Sequence, residues 1–109
     1  MAIPHALPGR VVDVLPSGAG SAGEVTVALF KARDLEVMRL VLQRGKSLPP
    51  HKVPGEITIH CLEGSMSVSF DGTAAELRAG QLLYLEGNAL HGVVALEDTT
   101  ALVTIALVK

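Results

Sequence analysis

Between positions 49 and 64 the chain reads PPHKVPGEITIHCLEG, which places His51, Glu56, His60 and Cys61 in one short stretch, and a further histidine, His91, follows downstream. Imidazole nitrogen, carboxylate oxygen and thiolate sulfur are the ordinary protein ligands of divalent transition metals, and metal sites generally recruit three or more of them. The same groups, with a phenol such as Tyr84 nearby, also serve as general acids and bases. The plain alternative is a set of polar residues hydrogen-bonded to backbone or water around an ordinary core. The choice depends on which side chains share a face, and so on the elements that carry them.

The chain has 109 residues, which makes room for one domain, 1–109, with no internal repeat and no linker. Residues 1–9 read as a flexible N-terminal segment. Apolar residues make up 49% of the chain, but Phe30, Phe70 and Tyr84 are its whole aromatic set, so the core must be aliphatic. The same scarcity removes the stacking platforms used by binders of single-stranded nucleic acid. A net charge of −2 without a basic stripe also argues against a nucleic-acid partner. No signal-peptide pattern opens the chain and no apolar run reaches membrane-spanning length, so no membrane partner is expected. A lone Cys61 cannot form an internal disulfide, which fits a reducing cytoplasm, and a cytoplasmic location is expected.

Short apolar segments rich in Val, Ile and Thr, separated by turn residues, predict an all-β fold. RVVDVL (10–15) is followed by PSGAGSAG, which has loop composition. EVTVALFK (24–31) and LEVMRLVLQ (35–43) flank a reversal at ARD, and RGKSLPPH (44–51) reads as a connector. Strands are then expected in EITIHCLEG, SMSVSF, AAELRAG, QLLYLEG, LHGVVALE and ALVTIALV, with LEDTTA (96–101) as a solvated turn. Asp71-Gly72 can supply the positive backbone angles of a tight hairpin turn, and Asn88 is a residue type that tolerates a left-handed conformation.

Two segments carry a recognisable pattern. Gly45, KSLPP, His51, Lys52 and Val53 open the first, and Gly64 closes it. Gly80, QLLYL, Glu86, Gly87, Asn88, AL, His91, GVV and Ala95 make up the second. The pair resembles the two motifs of the cupin superfamily, and the resemblance implies a cupin-like double-stranded β-helix, a jelly-roll barrel. In that family both histidines and the glutamate of the first motif, with the histidine of the second, bind a divalent metal. Here His51 and His91 stand at two of those positions, Val53 replaces the second histidine, and Ile57 stands where the glutamate belongs. Glu56 is one residue too early. Glu86 and Ala95 replace the family's proline and asparagine.

Side chains on a strand alternate between faces, so that single-residue offset matters. If position 57 faces the barrel interior, as the resemblance implies, then Ile59 and Cys61 do too, while Glu56, Thr58 and His60 face outward. The expected pocket is His51, Val53, Ile57, Ile59, Cys61, His91 and Val93, apolar with two imidazoles near its mouth. Cys61 lies about 13 Å beyond Ile57 along an extended strand and cannot replace the missing ligand. Glu56 could, if a bulge at Pro54-Gly55 turned its carboxylate inward. His51, His91 and Glu56 would then form a two-histidine, one-carboxylate site for iron, manganese, nickel or zinc.

Three functions compete. The first is binding of a small molecule in an apolar pocket with no metal. The second is a metal-dependent oxygenase or isomerase. The third is metal-free acid/base chemistry, with Tyr84 opposite a histidine and Lys52 or Arg39 as a cationic clamp. A fold of this kind does not choose among them. Apolar side chains on both faces of MRLVLQ and TIHCL need cover beyond a single small interior, and a homodimer is expected.

Overall fold

Asp71 and Gly72 both adopt positive φ, 48° and 76°, and close a tight hairpin between SMSVSF and TAAELR. Their mirror-type turn matches the right-handed twist of the flanking strands. The structure is a computed structural model that describes residues 6–15 and 26–108. The PSGAGSAG loop and residues 1–5 of the N-terminal segment lie outside the described residues. At Ala6 the backbone is tied to a later strand, its N–H donating to the Leu29 carbonyl at 2.9 Å.

Among the described residues the strands are β1 (Val27–Lys31), β2 (Leu35–Leu42), β3 (Ser47–His51), β4 (Ile57–Glu63), β5 (Ser65–Phe70), β6 (Thr73–Arg78), β7 (Leu82–Leu85), β8 (His91–Ala95) and β9 (Thr99–Ala106). They form two antiparallel sheets, ordered β1-β2-β9-β4-β7 and β3-β8-β5-β6. The chain crosses repeatedly from one sheet to the other, which is jelly-roll connectivity. The all-β barrel expected from the sequence is the architecture observed. No helix among the described residues is long and apolar enough to cross a membrane.

The inner face follows the pleat. On β4, Ile57, Ile59 and Cys61 are buried, while Thr58, His60 and Leu62 are only partly so. Together with Leu40, Met66, Val68, Leu77, Leu85, Val93 and Ala101 they form one continuous aliphatic core. Ala and branched aliphatics fill this space because the chain has almost no rings to offer.

Two sequence expectations are corrected. The stretch expected as a connector contains β3, which holds Pro49 and Pro50 at the edge of its sheet, a place where a missing N–H is tolerated. The expected solvated turn at 96–101 ends early, because Thr99 and Thr100 are each only 1% exposed. The Thr99 hydroxyl lies 2.8 Å from the carbonyl oxygens of both Ser65 and Glu97, which satisfies a polar group the pattern alone would send to solvent.

Gly64, at the corner between β4 and β5, has φ +81°, and a Cβ there would run into the Asp98 carbonyl and the Thr99 hydroxyl. Gly80 has φ +89° but open space around it. Gly80→Ala should therefore cost about 1 kcal/mol of backbone strain, and Gly64→Ala roughly 3 kcal/mol or more, since overpacking adds to it. Urea denaturation of the two variants checks the difference.

Candidate functional site

β3 and β8 pair antiparallel, with Leu48 opposite Val93 and His51 opposite His91, and the register shifts between those pairs. β3 advances three residues where β8 advances two, so one extra residue is accommodated at Pro49-Pro50. Neither proline can donate to the ladder, and an irregularity is inexpensive there. The bulge has a specific effect. Residues three apart on a regular strand face opposite ways, yet Leu48 and His51 both face the interior.

The two imidazoles meet as a cross-strand pair, with ring centroids 4.5 Å apart and planes tilted by 52°. His91 is 6% exposed, and its Nδ1 lies 2.9 Å from the Ala89 carbonyl oxygen. His51 is exposed, with Nδ1 3.4 Å from the Pro49 carbonyl oxygen. The second-motif loop holds this geometry. Asn88 takes φ 64°, its N–H donates to the Val53 carbonyl at 2.7 Å, and Gly87 sits against the Pro54 carbonyl, where a side chain would not fit. The two motif loops thus lie directly on one another.

Behind the imidazoles is a cavity of about 250 Å³. Of the residues the sequence singled out, His51, Val53, Ile57, Ile59, His91 and Val93 line it. Cys61 does not, which corrects that assignment. It is fully buried two residues past Ile59, in the packed end of the core, where its Sγ is 3.5 Å from the Glu63 carbonyl oxygen and 3.6 Å from that of Gly64. Burial pushes its thiol above the usual range, so it is poorly suited to nucleophilic work. Thr26, Met38, Leu40, Leu48, Val103 and Ile105 also line the cavity and were missed. Alternation along β2 and β9 could have found four of them; Leu48 is concealed by the bulge.

Glu56 is also corrected. No bulge occurs at its position; its carboxylate is exposed and accepts a 2.8 Å hydrogen bond from the Tyr84 hydroxyl. Tyr84 pairs with Thr58, between the inward Ile57 and Ile59, and so lies on the outer face of the sheet. It is therefore not opposite either histidine. His60 shares that face, opposite Leu82 and Leu102. Lys52 and Arg39 are absent from the lining, so the acid/base arrangement loses its proposed phenol and its clamp.

The metal implied by the family resemblance needs more donors than these. Among the described residues no group of three or more His, Cys, Asp or Glu side chains could hold a metal ion. Two imidazoles flanked by Val53 and Ile57 do not fit the family's four-ligand centre or a two-histidine, one-carboxylate site.

A two-sheet jelly-roll barrel, packed at one end and hollow at the other, with imidazoles from adjoining strands at the hollow end, defines a pocket-bearing β-barrel protein. The cupin domain family model matches residues 38–108, and the chain belongs to that family. Its fold is similar to that of SPY1581, a conserved protein of unknown function from Streptococcus pyogenes (TM-score 0.78, 17% identity, covering 100% of this chain and 96% of that one). An RmlC-like cupin protein from Desulfovibrio desulfuricans is similar with TM-score 0.70 and 26% identity over 97% of each chain. Among curated proteins, dimethylsulfoniopropionate lyase DddW from Ruegeria pomeroyi is 48% identical over 52 residues, 47% of this chain. The match spans only 34% of that enzyme's length.

The Glu56–Tyr84 contact yields a clean spectroscopic readout, because Tyr84 is the only tyrosine. The hydrogen bond to Glu56, followed by the carboxylate's charge, favours the neutral phenol and raises its pKa above the ordinary value. In Glu56→Gln the charge is gone, and the phenol should ionise at lower pH than in the unaltered protein. Ultraviolet absorbance titration of phenolate formation measures the shift.

Proposed function

We propose that this cupin binds a small molecule in the barrel cavity, with its apolar body against Val53, Ile57, Ile59 and Val93 and its polar head at His51 and His91. The observation that carries the reading is the lining itself. It is aliphatic over nearly all its area, and its two imidazoles meet as a pair, a mostly apolar pocket with a few convergent polar groups being the usual make-up of a small-molecule site. Each Å² of ligand apolar surface removed from water there contributes about 25 cal/mol. The buried thiol and single cysteine are compatible with a cytoplasmic setting, which we adopt as part of the reading.

A second reading, catalysis, is favoured by the partial similarity to an enzyme whose name describes a dimethylsulfoniopropionate lyase. It is discriminated in the same experiment. Small apolar compounds and dimethylsulfoniopropionate are screened by thermal unfolding, and each hit is followed by NMR for chemical change. A ligand present at about a hundred times its Kd should add roughly 2.7 kcal/mol to stability. Val53→Phe, which fills the mouth, should abolish the shift while leaving the fold intact. Turnover of any compound would favour the second reading, and an unchanged shift in Val53→Phe would overturn the first.

We also propose that the protein self-associates through the outer face of β4, β7 and β9. Leu82, Tyr84 and Leu102 lie there with Thr58 and His60, and Leu82 and Tyr84 are 62% and 56% exposed. A two-fold interface brings the same patch from both copies together, so like charges would repel across its centre. Of these side chains only His60 is ionisable near neutral pH; the Glu56 carboxylate, bonded to Tyr84, lies at the edge strand β7 and Arg39 lies beside Leu102, so the uncharged centre of the patch suits a second copy. Gel filtration should give a dimer, and Leu82→Glu should return the monomer.

A further inference from the structure

We propose that the pocket selects its ligand by a hydrogen-bond donor on the ligand, so that the class it takes is small uncharged alcohols and phenols, and that it rejects carboxylates and acceptor-only analogues. This rests on the pocket reading above and adds the chemistry of the head group.

Carbonyl oxygens only accept hydrogen bonds. The contacts of the two Nδ1 atoms with Ala89 and Pro49 therefore place a proton on each Nδ1, and Nε2 of a neutral ring is left as a lone pair at the end of the ring away from the backbone. Thr26 supplies the remaining side-chain hydroxyl of the lining. It already donates to the Val41 carbonyl at 3.3 Å and accepts from the Val41 N–H at 2.9 Å. Among the described residues the lining contains no Asp, Glu, Lys or Arg. Its side chains thus present hydrogen-bond acceptors with no donor to spare. A carboxylate would face lone pairs without compensation for its lost water. A ketone would leave both its own oxygen and Nε2 of the buried His91 unmet, and unmet buried polar groups are costly. A hydroxyl places its hydrogen on Nε2 of His91 and meets the need directly.

Size narrows the class. An apolar cavity of about 150 Å³ is enough for benzene, so about 250 Å³ accommodates a six-membered ring with a small substituent.

The test uses cyclohexanol, cyclohexanone, methylcyclohexane and cyclohexanecarboxylate, titrated by NMR at about pH 8, where imidazole is ordinarily neutral. Cyclohexanol should bind about tenfold more tightly than cyclohexanone, the discrimination one buried hydrogen bond supports. Cyclohexanecarboxylate should not bind. Exchanging both rings in His51→Gln/His91→Gln introduces amide donors, and the preference for alcohol over ketone should vanish or reverse. Equal binding of alcohol and ketone, or tight binding of the carboxylate, overturns the proposal; should the double variant fail to fold, the series on the unaltered protein decides alone. Failure of all four compounds in a protein that takes up other apolar molecules overturns the alcohol class and leaves the pocket reading standing. Failure of every apolar compound overturns the pocket reading itself.

Discussion

One extra residue in β3 governs the open end of the barrel. The pleat of a regular strand would send Leu48 and His51 to opposite faces. The register shift across Pro49-Pro50 turns both inward and brings His51 opposite His91. Proline makes this inexpensive, because a residue without an N–H has no ladder bond to lose on that side. The pairing of the imidazoles, the polarity of the mouth and the reach of the cavity all depend on that local slip.

The barrel is otherwise divided along its length. Ile57 and Ile59 on β4 face a hollow, whereas Cys61 on the same face packs with Met66, Leu77 and Ala101 in a solid core. A packed end with interior density keeps the sheets in place, and that permits the other end to stay open. The candidate site is thereby confined to one rim, where the β3 and β8 side chains meet the loop that Asn88 and Gly87 press against Val53 and Pro54. Glu56, three residues past Val53, bonds to Tyr84 on the outer face of the sheet, and the ionisable side chains of the cavity lining are the two imidazoles.

Much of the architecture was legible in the sequence. The Asp71-Gly72 hairpin, the alternation of Ile57, Ile59 and Cys61 and the outward placement of His60 all follow from backbone preferences and period-two patterning. So did the motif glycines and the two histidines of the cupin resemblance. Other features were hidden because they depend on partners distant in the chain. β3 reads as a connector, since two prolines are poor strand formers until an edge position accepts them. Thr99 reads as solvated until the Ser65 carbonyl is brought to its hydroxyl. Cys61 shares a face with the pocket residues, yet where a cavity ends along that face is set by the side chains arriving from β5, β6 and β9.

By itself, then, the sequence determined the fold class, the order of most strands and the faces of β4, because these rest on local backbone preference and on the alternation of apolar side chains. Tertiary structure alone decided that His51 and His91 touch, that Glu56 bonds to Tyr84 instead of joining them, and that the cavity stops short of Cys61. Each of those outcomes depends on the relative placement of strands far apart in the chain, and strand register, unlike strand identity, is a property of two segments at once.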